Sequence, residues 1–417
     1  MDTTTAGRVL IGDSLGFHII FVLLSIGLPF LMNILEWFAW RNNDDKLRSF
    51  VKLLGRWTTV LVVAGVMSGT VIALQFSTLW APFLDASRPY VGKFFTLEGY
   101  AFLVEAVFMS WYFLTIKEVG TFRHWLIGLP ITLGAVGSAV FITIVNAWMN
   151  NPSNIITSTT FNEIAHSVTA YFFATTLAVL GYVAWRSLKK KDDEFVQKLI
   201  GRLAIIGAIL VVVIGLLGHQ SAVDIANTQP HKLAALELLD KTQTNAPMRI
   251  GGSINQDGQA EGGLVIPGML SLLAGYSTDY KVTGLDQFPR EKWPMLIIHD
   301  LFDIKMALVG LSSALILGAV IFYWRIKKQP RWFAKLLAIF GLSGIIMVEL
   351  GWMMTELGRQ PYAIYGKMLT SEAFTKDAKL IGTGIIFPIL FVVLFIAVIF
   401  ALNATTKAWR KKEELSW

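Results

Sequence analysis

The stretch LIGRLAIIGAILVVVIGLLG, residues 199–218, carries a single charged side chain, Arg202, and is apolar on every face of a helix. About 20 such residues are enough to cross the hydrocarbon of a bilayer. In lipid a backbone must satisfy its own N–H and C=O groups, so the run reads as a transmembrane helix. Working outward, eight more runs share this character: 15–40, 52–79, 96–117, 125–149, 164–187, 294–324, 332–354 and 382–406. The nine together predict an all-α integral membrane protein, in keeping with a chain that is 54% hydrophobic and 16% charged. The first run is long, has no small-residue cleavage site and carries a His and a Glu, so it counts as a span and not as a signal peptide.

Lys and Arg next to spans stay on the cytoplasmic side. Segments 41–56, 186–202, 325–335 and 407–412 are strongly basic, whereas the connections 80–95 and 150–163 carry two basic residues and none. This alternation places the N-terminus outside and the C-terminus in the cytoplasm. The net charge of +7 follows from the same flanking pattern, so no nucleic-acid partner is needed to explain it. The chain has no cysteine, which excludes disulfides, thiolate metal sites, iron–sulfur clusters and covalently attached c-type haem.

Residues 1–417 read as one membrane domain. Within it, 219–293 is too long for an ordinary connection and is placed outside. Its start, HKLAALELLD, reads helical; RIGGSINQDGQAEGG is polar and glycine-rich; LVIPGMLSLLAG turns back toward the membrane as an interfacial or re-entrant segment.

Ionisable residues inside spans are costly, so each is a candidate for function. His18, Glu98 and His166 lie near the outer ends of spans one, three and five. Met306 lies two to three turns into span seven, and Glu349, Trp352 and Glu356 occupy the outer end of span eight. Five helices thus bring metal-ligand types to one depth. His166 and Met306 are a pair suited to the two axial positions of a low-spin haem. Taken singly, an apolar-face His is more often a packing residue and a Met more often filler. Glu98 and Glu105 are two turns apart on one face, which suits a metal ligand and a proton carrier, or a hydrogen-bonded pair bridging helices. Trp352 also reads as an interfacial aromatic. Arg359, where Gly358 and Pro361 end the helix, suits an anionic partner such as a haem propionate, or lipid phosphate.

Several stretches resemble, in order and over essentially the whole chain, subunit I of the cytochrome bd quinol oxidases. They are ALQFSTLW (73–80), LEGYAFLVE (97–105), NAWMNNP (146–152), KLAALE (232–237) and GWMMTELGRQPY (351–362). The nine spans with a long loop after the sixth fit too, and the loop is of the family's short type. The resemblance implies an oxygen-reducing quinol oxidase of the prokaryotic plasma membrane, with a low-spin haem b, a high-spin haem b and a haem d or further haem b. It makes His166 and Met306 the axial ligands of the low-spin haem. His18, Glu98 and Glu356 become ligands at the other two, with the assignment among them open. Glu105 becomes part of the proton route, Trp352 a residue between or beside haems, Lys232 and Glu237 the quinol-binding pair, and Arg8 and Arg359 supports of the haem environment. Its implied partners are quinol, O2, a second oxidase subunit (typical, paralogous or another copy) and in some assemblies a small single-span subunit. Quinol oxidised outside, with protons for oxygen drawn from inside, would separate charge without pumping.

The chain departs from the family pattern in three places. Its span-three acids are seven apart where the family usually has eight; Ile304 stands where an Arg is usual, with Asp303 and Lys305 beside it; and Ala73 replaces an acid before the QF pair. Two other readings compete. An ion transporter with buried carboxylates would place its ligands near the midplane, and a haem-bearing paralogue without oxygen chemistry would not need Glu98, Glu105 and Glu356.

Overall fold

The computed structural model describes residues 3–189, 193–377, 382 and 386–412. Among them nine helices are long and apolar enough to cross a membrane. They are built on α1 (Thr3–Arg41), α2 (Asp45–Leu79), α3 (Ala81–Leu114), α4 (Phe122–Asn150), α5 (Ser158–Lys189), α6 (Glu194–Thr228), α9 (Ile297–Ile326), the pair α10 (Arg331–Ile339) and α11 (Ser343–Arg359), and α13 (Ile386–Lys412). Their ends at one side carry caps that satisfy free N–H groups: Asp44 accepts from Leu47 N, Thr121 from His124 N and Asp193 from Phe195 N. α5 is the most enclosed span, while α3 and α13 lie at the periphery with 17% and 11% of their most apolar windows buried.

Most helices run further than the apolar runs. Residues 81–95, expected in a connection, are the first turns of α3: Pro82 opens the helix, and Phe83, Val91 and Phe94 are buried against Trp148, Ile144 and the 363–373 segment. Asp85, Arg88 and Lys93 interrupt the apolar pattern there, and that hid the helix. α6 likewise continues to Thr228, so the long loop starts ten residues later than expected. Span eight is broken by a 3-10 turn at Phe340–Leu342. There Gly341 meets Gly181 of α5 so closely that a Cβ on Gly181 would sit 2.5 Å from the Gly341 Cα.

The long loop is a small folded cap. α7 (Pro230–Leu236) is buried along its length from His231 to Leu236 and is followed by antiparallel β1 (Met248–Ile250) with β4 (Leu264–Ile266), and β2 (Ser253–Ile254) with β3 (Ala260–Glu261). The returning segment forms α8 (Met269–Gly275), whose Leu270 and Ala274 pack with Leu233, Leu236 and Ile298 in the cap's own core. The helical HKLAALELLD stops at Leu236, with Glu237 as its C-terminal cap. A second hairpin, β5 (Tyr362–Ile364) and β6 (Met368–Leu369), turns at Gly366 (φ +67°) and leads into α12 (Thr370–Ala373).

Candidate functional site

α4 forms the spine of the site. It presents Gly134, Ser138, Asn146 and Asn150 in rising order toward the loop end, each matched by a charged residue of a neighbour. At Gly134 the α3 backbone comes close enough that a Cβ would sit 2.8 Å from Ala101 O and Glu105 N. Glu105 is buried there, with Oε1 unpartnered. Ser138 donates to Glu98 Oε1 (2.9 Å). Two turns further out Asn146 donates to Glu356 Oε1 (3.0 Å) and accepts from Asn150 (3.0 Å). Arg359, 1% exposed, closes this network by donating to Asn150 Oδ1 (2.8 Å) and Glu356 Oε2 (2.5 Å). Its burial removes the lipid-phosphate reading. Gln229, at the start of the loop, donates to Asn150 O (3.2 Å).

A second chain of contacts crosses the bundle at the depth of Glu349. His18 Nδ1 lies 2.8 Å from Ser68 Oγ on α2. Two residues before His18, a Cβ on Gly16 would lie 3.7 Å from Glu349 Oε2, and the other Glu349 oxygen is buried without a partner. Trp352, one turn along α11, donates from Nε1 to Tyr171 OH on α5 (3.1 Å). Lys305 of α9 reaches Gly351, where a Cβ would be 3.2 Å from its Nζ, and stands within electrostatic reach of His166. His166 keeps a buried Nδ1 without a partner and faces Gly218 of α6. Met306 is 44% exposed on α9. Arg8 is exposed near the start of α1, about three turns from His18.

Lys232 and Glu237 part company at α7. Lys232 lays its stem along Gly358, where a Cβ would sit 2.6 Å from its Cε, and so joins the Glu356–Arg359 group. Burial and the Arg359 charge push its amine down to about 8, opposed by Glu163 and Glu356. Glu237 lies on the other flank, where burial and then the Asp303 charge push its carboxyl up to about 8 against the Arg249 backbone N–H. Asp303 accepts from Gly251 N (2.5 Å) and lies 3.4 Å from His299 Nε2, so the acid next to Ile304 ties the cap to α9. Ala73 is exposed, whereas its neighbour Gln75 is buried and donates to Ser14 Oγ (2.8 Å).

The whole chain has relatives with this layout. The sequence profile of the family described as cytochrome bd terminal oxidase subunit I matches residues 7–409. The chain belongs to the cytochrome bd terminal oxidase subunit I family. A Bacillus subtilis (strain 168) protein assigned as a cytochrome bd menaquinol oxidase subunit I is 32% identical, with 96% of each chain covered. The cytochrome bd-II ubiquinol oxidase subunit 1 of Escherichia coli (strain K12) is 25% identical over 86% of this chain and 87% of its own. The solved bd oxidase of Geobacillus thermodenitrificans superposes with a TM-score of 0.89 at 29% identity, covering 98% of this chain and 99% of the other. As a cytochrome bd subunit I, the protein is part of a haem-containing quinol oxidase of the bacterial plasma membrane, and its multi-pass architecture fits that place.

The side chains suit haem. Among the described residues no three His, Asp or Glu side chains converge as a metal cage. The buried, unpartnered His166 nitrogen suits an axial contact, and bare glycine surface lies nearby: a Cβ on Gly215, one turn from Gly218, or on Gly310, one turn past Met306, would meet nothing within 4 Å. Sequence reasoning missed Asn146, Asn150, Gln229, Ser138, Ser68 and Glu163. The asparagines had a signal, since two amides four residues apart in an apolar span share one face.

Proposed function

We propose that this subunit oxidises quinol at the loop end and reduces O2 to water inside the same end of the bundle, with the N-terminus and the cap outside and the C-terminus in the cytoplasm. What carries the reading is the polar layer of Glu98, Glu349, Glu356 and Arg359. It is gathered from α3 and α11 onto α1 and α4, directly beneath the α7 that presents Lys232. His166 and Met306 would hold the low-spin haem b, and His18, Glu98 and Glu356 the high-spin haem b and the haem d or further haem b. When bound, these haems supply one-electron transfer and the iron at which oxygen is reduced.

The protein's own groups do the rest. Lys232 and Glu237 bind and orient the quinol headgroup. Arg359, fixed by Asn150, holds Glu356 in place and offsets its charge. Glu105 carries protons arriving from the cytoplasmic side to Glu98, about two turns outward. Trp352, anchored on Tyr171, fills the space between α5 and α11 beside the haem region. Protons released outside and consumed from inside separate charge without pumping. The peripheral α3 exposes Leu103, Val107 and Trp111 along one stripe, a face suited to the second oxidase subunit.

Purified oxidase containing this chain should show haem b bands in a reduced-minus-oxidised spectrum, a far-red chlorin band if the third haem is d, and quinol-dependent oxygen uptake. A haem-free preparation from haem-replete cells would overturn the proposal. Haem bands without oxygen uptake would leave the paralogue reading.

A further inference from the structure

His231 of α7 stands next to Lys232. It is 2% exposed. Its ring stacks on Tyr365 of the second hairpin (centroids 4.7 Å apart, planes 11° apart) and meets Phe288 edge-on at 5.8 Å. The Nδ1 lies 3.2 Å from Tyr365 OH, and Nε2 is buried without a partner. Burial and the adjoining Lys232 charge pull this imidazole down to about 4, so it is neutral. A neutral ring with Nδ1–H turned to Tyr365 presents a bare lone pair at Nε2. Tyr365 is only partly buried, packs edge-on against Tyr362 (5.6 Å), and its backbone N–H donates to Met149 O (2.9 Å) at the end of α4. The pair thus links α7, one residue from Lys232, to the partly exposed second hairpin.

We infer that His231 and Tyr365 form the proton exit of the quinol site, an inference that rests on the quinol-binding role of Lys232. Quinol oxidation gives up two electrons to haem and two protons. For one of them, the bond from the quinol oxygen to hydrogen breaks as His231 Nε2 takes the proton. The Nδ1 hydrogen passes to the Tyr365 oxygen, and the Tyr365 hydroxyl proton leaves to solvent. Once the quinone has left, water entering the vacated headgroup site takes the Nε2 proton, while Tyr365 returns a proton to Nδ1 and regains one from solvent, which resets the ring with one quinol proton released in all.

The test uses the complete oxidase in two variants that keep the ring packing, His231→Phe and Tyr365→Phe. Each should lower quinol kcat about tenfold or more, the size of a lost proton-transfer step, with quinol KM within about twofold of the parent. Each should also enlarge the solvent deuterium isotope effect, while turnover with an artificial one-electron donor that carries no protons stays at the parental rate. Normal quinol kcat in Tyr365→Phe overturns the inference, even where His231→Phe does not assemble. So does an equal loss with both donors, which would make the pair structural, or a rise in KM alone, which would make it a headgroup contact. Lys232→Gln run alongside separates the two levels: normal quinol kinetics there would remove the quinol site itself, not merely its exit.

Discussion

At the scale of single residues, Lys232 and Glu237, the pair proposed to bind quinol, combine two displaced titrations. Lys232, pushed down to about 8, loses its charge as pH climbs through that value, and Glu237, pushed up to about 8, gains one on the same climb. Both changes make the site more negative. The apparent quinol KM should therefore rise above about pH 8. Glu237→Gln, neutral at every pH, should keep the low-pH KM and flatten the rise, whereas Glu237→Ala or Lys232→Gln should raise KM at all pH values with the haem spectrum unchanged. A haem spectrum that moved while KM did not would remove both residues from quinol binding. Met306 makes a second residue-scale case. It is 44% exposed, so Met306→Leu should change stability by less than about 1.5 kcal/mol. It should still abolish the low-spin haem signal or shift its potential, and an untouched spectrum would mean a different axial ligand.

At the scale of elements, glycine sets where helices meet. Gly134 lets α3 and α4 touch through backbone at Glu105, and Gly181 lets α5 touch the 3-10 break of span eight. Gly134→Ala and Gly181→Ala should each cost roughly 1–3 kcal/mol by overpacking, measured as earlier thermal unfolding in detergent. Gly134→Ala should in addition slow oxygen reduction, because it moves Glu105; Gly181→Ala, remote from the acids, should affect it less. Equal activity losses would argue against a proton role specific to Glu105. The elements also mark what could be read in advance. Hydropathy alone located the nine spans, because nothing else explains runs such as 199–218. The opening turns of α3 escaped it because Asp85, Arg88 and Lys93 are compatible with a helix lying at the surface of the bundle, and the break at Gly341 escaped it because hydropathy is blind to backbone contact. For the site, depth could be read and partnership could not. Spacing placed Glu98, Glu349 and Glu356 near one end, but their links to Ser138, Gly16 and Asn146 depend on which helices adjoin, and no periodicity encodes that.

On the scale of the whole molecule the two ends differ in chemistry. One end holds the basic flanks; the other holds the cap, the Glu356–Arg359–Asn150 network and Lys232. A machine that consumes protons at buried acids near one face, yet draws them from the opposite face, must move charge across the low-dielectric span between. In vesicles carrying the oxidase with its cap outward, quinol turnover should acidify the outside and alkalinise the inside, moving as many charges as electrons delivered to oxygen. Glu105→Gln should sharply lower oxygen consumption while leaving the haems reducible by quinol, since it interrupts proton delivery and not electron entry. If the variant consumed oxygen at the parental rate with the same vesicle potential, the protons would have to travel by a route that bypasses Glu105.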